Sequence, residues 1–461
     1  MKHVRLKRIA LFLMIVLIGA SGAALAQTKK ERKRAQELKL SGDKAFRARN
    51  YRQATSDYGQ AILIVPNDPY AHYWKGVAHY NLKENPEALR EFEIALSQGF
   101  KPIEVYRVRW YLHYEAKEYD AALSDLTKAL QIDPDNVVFR KGIGEIFYAQ
   151  GKYAESLQIF QAVALKEPKD GDVYFNIARA QAGLGHVREQ GAAAQAALSN
   201  RTRMIGESYF LLADSQQKQG QLEAAIDNYQ RAIAAKPENY QAYKNLADIY
   251  RSLSDFKAAI EVAKKALLKF PEDGSFYTDV SWYYSLDNEP ARAAEAARSA
   301  TKLLPNQYLG YTNLCRALND LKDYSGAVAA CNTALKLNPG DGETYFYLAR
   351  AYDFAGRRSE ATGYYSKAVT GLEDFVKRNP DYSDGYYLLG NAYLSDNQRD
   401  KAIEAYKKVI EMSPKFTRAR FNLAMAYLQT KDKASAMEQY SALLPLDAAL
   451  AARLKGEIDK Y

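Results

Sequence analysis

Residues 241–271 read QAYKNLADIYRSLSDFKAAIEVAKKALLKFP. Tyr243, Leu246, Ala247 and Tyr250 are spaced three, one and three residues apart, which puts them on one face of a helix. Ala259, Ala263 and Ala266 form a matching stripe on a second helix. Pro271 ends that helix, because proline cannot donate the next backbone hydrogen bond. The same punctuation runs along the chain: Pro134 and Pro168 are 34 residues apart, as are Pro237, Pro271, Pro305 and Pro339 in succession, with Pro66 before them and Pro380 and Pro414 after. A fixed period in this range marks a stacked-repeat array, in which each unit buries its apolar face only against its neighbours.

Aligned on the prolines, twelve units begin near residues 35, 69, 103, 137, 171, 206, 240, 274, 308, 342, 383 and 417. Each has a Tyr-rich first helix, a turn, an Ala-rich second helix and a closing turn. A small residue recurs on the packed face of the first helix (Gly42, Gly76, Gly144, Ala247, Ala349, Gly390), and an alanine recurs on the second (Ala54, Ala88, Ala122, Ala259, Ala327, Ala402). Larger side chains there would overpack the contact. The pattern resembles the tetratricopeptide repeat family, whose 34-residue unit carries W-x2-L-G-x2-Y, then A-x3-F, then A and P. The resemblance covers residues 35–446. It implies an all-α fold, an α-solenoid forming a right-handed superhelix of about twelve helix–turn–helix repeats, with partner recognition on the concave face lined by the first helices. Residues 447–461 repeat neither helix and read as a C-terminal capping helix with Leu450, Leu454 and Ile458 inward.

Two units depart from the pattern. The fifth runs through Gly183, Gly185 and Gly191 and reads as a flex point, since interior glycine weakens a helix. The tenth is longer, its second helix continuing through Gly371-Leu372-Glu373-Asp374-Phe375 before Pro380.

The N-terminus reads as a targeting segment, 1–26. Lys2, Arg5, Lys7 and Arg8 precede an apolar run, and Ala24-Leu25-Ala26 is a small-x-small cleavage site. This predicts an exported, periplasmic chain of bacterial type; the competing reading is a membrane anchor through residues 9–26. Residues 27–34 read as a basic linker, and 29–34 as a weak contact to a membrane surface. The formal net charge of +9 sits largely in the N-terminal arm: residues 27–52 hold ten Lys/Arg and three Asp/Glu, and the repeat array is near neutral.

That neutrality argues against nucleic acid as a partner. No cofactor or metal is expected, because the five histidines lack ligand spacing, and no nucleotide-binding or hydrolase motif occurs. The chain therefore reads as a non-enzymatic scaffold for a protein or peptide partner. A polysaccharide-handling or secretion-apparatus subunit and an RNA-binding helical repeat are the alternatives. Cys315 and Cys331 fall on facing positions of one repeat, open either to a disulfide across the hairpin in an oxidising compartment or to two buried thiols.

Tyrosine is abundant, 36 residues against 17 Phe and 3 Trp. Most tyrosines occupy packing positions, but several fall on the stripe that the resemblance assigns to the concave face. Aromatic and basic side chains there offer rigid contact area with a polar handle. The candidate partner-binding groove is accordingly Phe46, Tyr73, Tyr80, Arg107, Tyr111, Tyr114, Lys141 and Tyr148, in the first four units. The corresponding stripe of units six to nine is mostly polar, and that of units ten to twelve, with Phe346, Tyr387 and Phe421, is aromatic again.

Overall fold

The computed structural model describes residues 29–460. The expected leader 1–26, its alternative as an anchor, and Gln27-Thr28 of the expected linker lie outside the described residues. Every regular element among those described is an α-helix, and none is long and apolar enough to cross a membrane.

The chain divides into two compact units, the first ending at Arg203 and the second beginning at Met204. The first unit contains five antiparallel hairpins: α1 (Lys29–Arg47) with α2 (Tyr51–Ile64), α3 (Pro69–Asn81) with α4 (Asn85–Ser97), α5 (Pro102–Glu115) with α6 (Tyr119–Ile132), α7 (Val137–Ala149) with α8 (Tyr153–Lys166), and α9 (Gly171–Gly183) with α10 (Val187–Ser199). The second contains seven: α11 (Ile205–Lys218) with α12 (Leu222–Ala235), α13 (Tyr240–Ser252) with α14 (Phe256–Lys269), α15 (Gly274–Leu286) with α16 (Pro290–Leu303), α17 (Tyr308–Asp320) with α18 (Tyr324–Leu337), α19 (Gly342–Phe354) with α20 (Arg358–Arg378), α21 (Ser383–Ser395) with α22 (Arg399–Met412), and α23 (Thr417–Gln429) with α24 (Lys433–Leu443). A single helix, α25 (Ala448–Ile458), closes it. This is the all-α solenoid of about twelve helix pairs with a cap that the periodicity requires.

Local chemistry sets the helix ends. Asp68, Asp273, Asp341 and Asp447 accept a hydrogen bond from a backbone N–H in the first turn of α3, α15, α19 and α25. Between paired helices the chain turns through one left-handed residue, at Lys83, Lys117, Gly151 and Gly185 in successive hairpins. Packing follows the small-residue stripes. A Cβ added to Gly144 would lie 2.7 Å from the Phe160 ring, so this position exists to seat the aromatic of the second helix. Tyr58, Tyr229 and Tyr406 occupy the equivalent place and are fully buried. Their hydroxyls are not stranded: they donate to Asp43 (2.6 Å), Gln217 (2.8 Å) and Asn391 (2.7 Å).

Two expectations need adjusting and a third holds. The basic stretch 29–34 is the exposed first part of α1, not a linker. The fifth unit is a regular hairpin: Gly183 is the last residue of α9 and gives room to the Tyr153 ring, Gly185 takes the left-handed turn position, and Gly191 lies buried within an unbroken α10. The extra turns of the tenth unit are real, with α20 running 21 residues. In the cap, Leu454 and Ile458 are fully buried and Leu450 packs beside them.

Candidate binding grooves

The residues singled out in the first unit do not form one open surface. Tyr73 is a core side chain: it is 8% exposed and stacks on Phe100, ring centroids 4.3 Å apart. Phe100 follows α4 where most units carry proline, so the loop itself covers the tyrosine. Phe46 is half-buried between Tyr51 and Trp74. Lys141 is tied to Glu167 and Asp170 after the next helix. Tyr148 lies under the Arg179 guanidinium at 3.9 Å. Tyr80 and Tyr114 are half-buried. Only Tyr111, stacked on Tyr114, and Arg107, paired with Glu104, are exposed.

The second unit holds a continuous groove of about 1310 Å³. Its wall is built from the inward stripes of α15, α17, α19, α21 and α23 and ends against α25. Trp282, Phe346, Tyr347, Tyr387, Phe416 and Phe421 are among the aromatic residues that line it. Tyr387 packs on Phe416 with centroids 4.9 Å apart, and Asn422 donates to both the Tyr387 hydroxyl (3.2 Å) and Asn391 (2.8 Å). These bonds cross from one repeat to the next, as do Asn245 to Tyr229 (2.8 Å) and Asn313 to the Thr278 carbonyl (2.9 Å). Asn313 and Asn422 thus hold neighbouring first helices in step, and Asn245 ties a first helix to the second helix before it.

The floor is charged. Arg316 is buried, bonded to Glu343 and seated over the Tyr347 ring at 4.9 Å. Burial works against its charge, but Tyr347 and Glu343 outweigh it and its pKa is pushed up. Lys244 bonds Asp279. Burial raises the carboxyl pKa values of Asp279, Asp341 and Asp384 despite neighbouring cations or hydrogen bonds. Burial likewise pushes the Tyr347 phenol up to about 12.

Two contacts span the groove from wall to wall. Arg251 on α13 bonds Asp384 on α21, and Arg418 on α23 donates to the Leu286 carbonyl at the end of α15 (2.5 Å). Sequence reading singled out neither pair. Their residues lie 133 and 132 positions apart, and their only signal was a charged residue on the inward stripe.

Cys315 on α17 and Cys331 on α18 form a disulfide, both sulfurs fully buried behind the groove wall. The described histidines each have their own partner and are not gathered: His72 bonds Glu91 (2.5 Å), His79 bonds Glu84 (2.6 Å), His113 bonds Glu118 (2.7 Å) and His186 bonds Gln181 (2.8 Å). Among the described residues no group of three or more His, Cys, Asp or Glu is placed to hold a metal ion.

Paired helices stacked by small-to-aromatic contacts, with inward stripes lining a groove, define a helical-hairpin repeat protein. Tetratricopeptide repeat models match residues 113–182 and, separately, 40–101, 210–274, 287–342, 348–415 and 387–451. The chain belongs to the tetratricopeptide repeat family. It is 28% identical over 148 residues to small glutamine-rich tetratricopeptide repeat-containing protein 2 of Saccharomyces cerevisiae, covering 32% of this chain and 41% of that protein. It is 26% identical over 141 residues to Hsp70-Hsp90 organizing protein 3 of Arabidopsis thaliana, covering 29% and 25%. The chain thus spans well under half the length of these curated relatives. A crystal structure of a tetratricopeptide repeat protein from Parabacteroides merdae aligns with a TM-score of 0.45 at 16% identity, over 56% of this chain and 98% of that one.

Proposed function

We propose that the chain is a non-catalytic adaptor that holds an extended segment of a partner protein in the groove of its second unit. The observation that carries this reading is the 1310 Å³ groove itself, with aromatic side chains and interspersed Arg and Asp/Glu along five first helices. Aromatic and arginine side chains give rigid contact area with directional hydrogen bonds, the composition that concentrates binding energy at protein interfaces. The similarity to an organizing protein for other proteins supports an adaptor over an enzyme.

An envelope location belongs to the same proposal. It is supported by the charged start, apolar run and small-x-small site of residues 1–26 and by the Cys315–Cys331 disulfide, since disulfides persist in oxidising compartments. The exposed basic turns at 29–34 suit contact with anionic lipid head groups.

The test is selection of random peptides displayed on phage against the purified chain. Selected peptides should bind the wild type and lose binding to a Trp282→Ala, Phe416→Ala variant whose circular-dichroism melting remains cooperative. Peptides that bind both equally would place the binding face outside this groove.

A further inference from the structure

Arg251 occupies an unusual place for a solvent-facing position of a repeat. Its side chain leaves α13, crosses the groove and is only 12% exposed. Its guanidinium carbon lies over the Trp282 ring at 5.1 Å and over the Tyr382 ring at 5.9 Å. One Nη donates to Asp384 on the far wall; Nε and the other Nη donate to Asp248, one turn back on its own helix, at 2.9 and 2.7 Å. The walls joined here share no helix-on-helix packing of the kind that joins neighbouring helices. The contacts that join the walls at this point are polar and cation–ring ones centred on Arg251.

The two partners of Arg251 are not equivalent. Asp248 is a local i,i+3 neighbour and more than half exposed, so it keeps its bonds to Arg251 if the walls part. Asp384 is 15% exposed, and Arg251 supplies its only ion pair among the described residues. Arg316, whose charge also reaches Asp384, is bonded to Glu343. Opening the groove therefore strands the Asp384 carboxylate in a half-buried site beside the Tyr382 ring, and the Trp282 face on the other wall completes the site only when the walls close again. A stranded buried charge is costly unless another cation replaces the first.

We propose that Asp384, Trp282 and Tyr382 form an arginine-binding subsite, which Arg251 fills in the free protein and which an arginine of the partner segment takes over as Arg251 retires to Asp248. The inference rests on the reading of this groove as a segment-binding surface and adds the chemistry of the segment. The site selects a guanidinium over an ammonium, because a planar fork can face the rings and bond the carboxylate together. Arg251 is then an autoinhibitory side chain: while it sits in the site, an incoming arginine binds only to the open fraction. Arg418 on the Leu286 carbonyl is a second fastening of the same closure.

Fluorescence anisotropy with labelled hexa-arginine and hexa-lysine peptides tests this on the full chain. Arg251→Gln should tighten hexa-arginine by about tenfold over wild type, and hexa-lysine should gain less. Adding Asp384→Asn should cancel the gain. Arg231→Gln removes one charge from an exposed position on α12 and should change nothing. Equal gains in Arg251→Gln and Arg231→Gln, or a gain that survives Asp384→Asn, would reduce the effect to net charge and overturn the subsite. If Arg251→Gln melts early, the wild type still decides: its hexa-arginine affinity must fall on Asp384→Asn, and no fall refutes the proposal. Should hexa-arginine fail while phage-selected peptides still depend on Trp282 and Phe416, the groove reading stands and only the subsite falls. If no selected peptide depends on the groove, the wider reading falls instead.

Discussion

Gly342 and Gly371 meet backbone to backbone: a Cβ built on Gly371 would lie 2.7 Å from the Gly342 Cα, and one on Gly342 would lie 2.5 Å from the Leu372 amide nitrogen. The pair explains how the longest second helix, α20, passes the start of α19. A helix two turns longer than its equivalents must run beside the first turn of its partner, and only two glycines allow the approach.

Gly371→Ala should therefore destabilise the second unit, although alanine ordinarily favours a helix over glycine by about 1 kcal/mol. The clash is with backbone, which cannot rotate away, so a net loss of roughly 1–3 kcal/mol is expected. Gly363→Ala on the same helix meets no atom within 4 Å and should stabilise. Urea denaturation of the two variants should shift in opposite directions; a stabilised Gly371→Ala would show that the backbones have room to part.

Tyr73 and Tyr111 separate in the same way. Both lie on the stripe that sequence assigns to the groove, yet Tyr73 packs on Phe92 and Phe100 while Tyr111 is 38% exposed. Tyr73→Ala should cost ~3–5 kcal/mol as a large-to-small core change. Tyr111→Ala should stay within about 0.5–1 kcal/mol. Equal melting temperatures for the two variants would contradict the stacking of Tyr73 under Phe100.

The fold was legible because its signals are local. Proline spacing and small-residue stripes act within one repeat or between adjacent ones, so pattern alone places the helix pairs and the cap. The turn residues carry the same period, but lysine, serine, asparagine, arginine and glycine all fill the left-handed position, and composition hides it. The groove was only partly legible. Phe346, Tyr387 and Phe421 stood out as aromatic on the inward stripe, whereas Trp282, Arg251 and Arg316 fell in a stretch that read as merely polar. Their importance arises when α13 and α15 face α21 and α23 across the groove, and that depends on curvature summed over four repeats. Tyr73 was misplaced for a different reason: its cover comes from a loop residue at a position where most units carry proline.

The Cys315–Cys331 disulfide closes a loop of sequence separation 16 between α17 and α18. Constraining a loop of that size in the unfolded chain is worth about 3 kcal/mol in the chain-entropy description. Replacing both cysteines by alanine should lower the urea midpoint accordingly and loosen the hairpin that carries Arg316 and Asn319. Both sulfurs are fully buried, so dithiothreitol should reduce the native protein only at the rate at which this hairpin opens. Thiol titration of oxidised, fully denatured protein should find no free thiol, and two free thiols would remove the constraint from the account.

Acid should act oppositely on the ion-paired carboxylates of the first unit and on the buried groove carboxylates of the second. In the first, Glu91 is held below the usual carboxylate range: burial opposes this, but His72 and Lys75 outweigh it. Asp170 and Asp172 are depressed in the same way, against burial, by Lys141 and by Thr202 with Arg203. A depressed folded pKa gives stability that is full above the unfolded value, near pH 4, and lost as pH falls through the lower folded value. In the second unit burial raises Asp279, Asp341 and Asp384. A raised folded pKa gives the reverse: its contribution is full below the unfolded value and lost as pH rises through the folded one. Between neutrality and about pH 4 the groove helices should therefore hold or gain protection, while residues 69–100 and 170–203 begin to lose it below about pH 4. Hydrogen exchange of the intact chain, read by segment and corrected for intrinsic rates, measures both. Parallel loss in the two units across that range would mean that the groove carboxylates are charged at no cost, contrary to their burial.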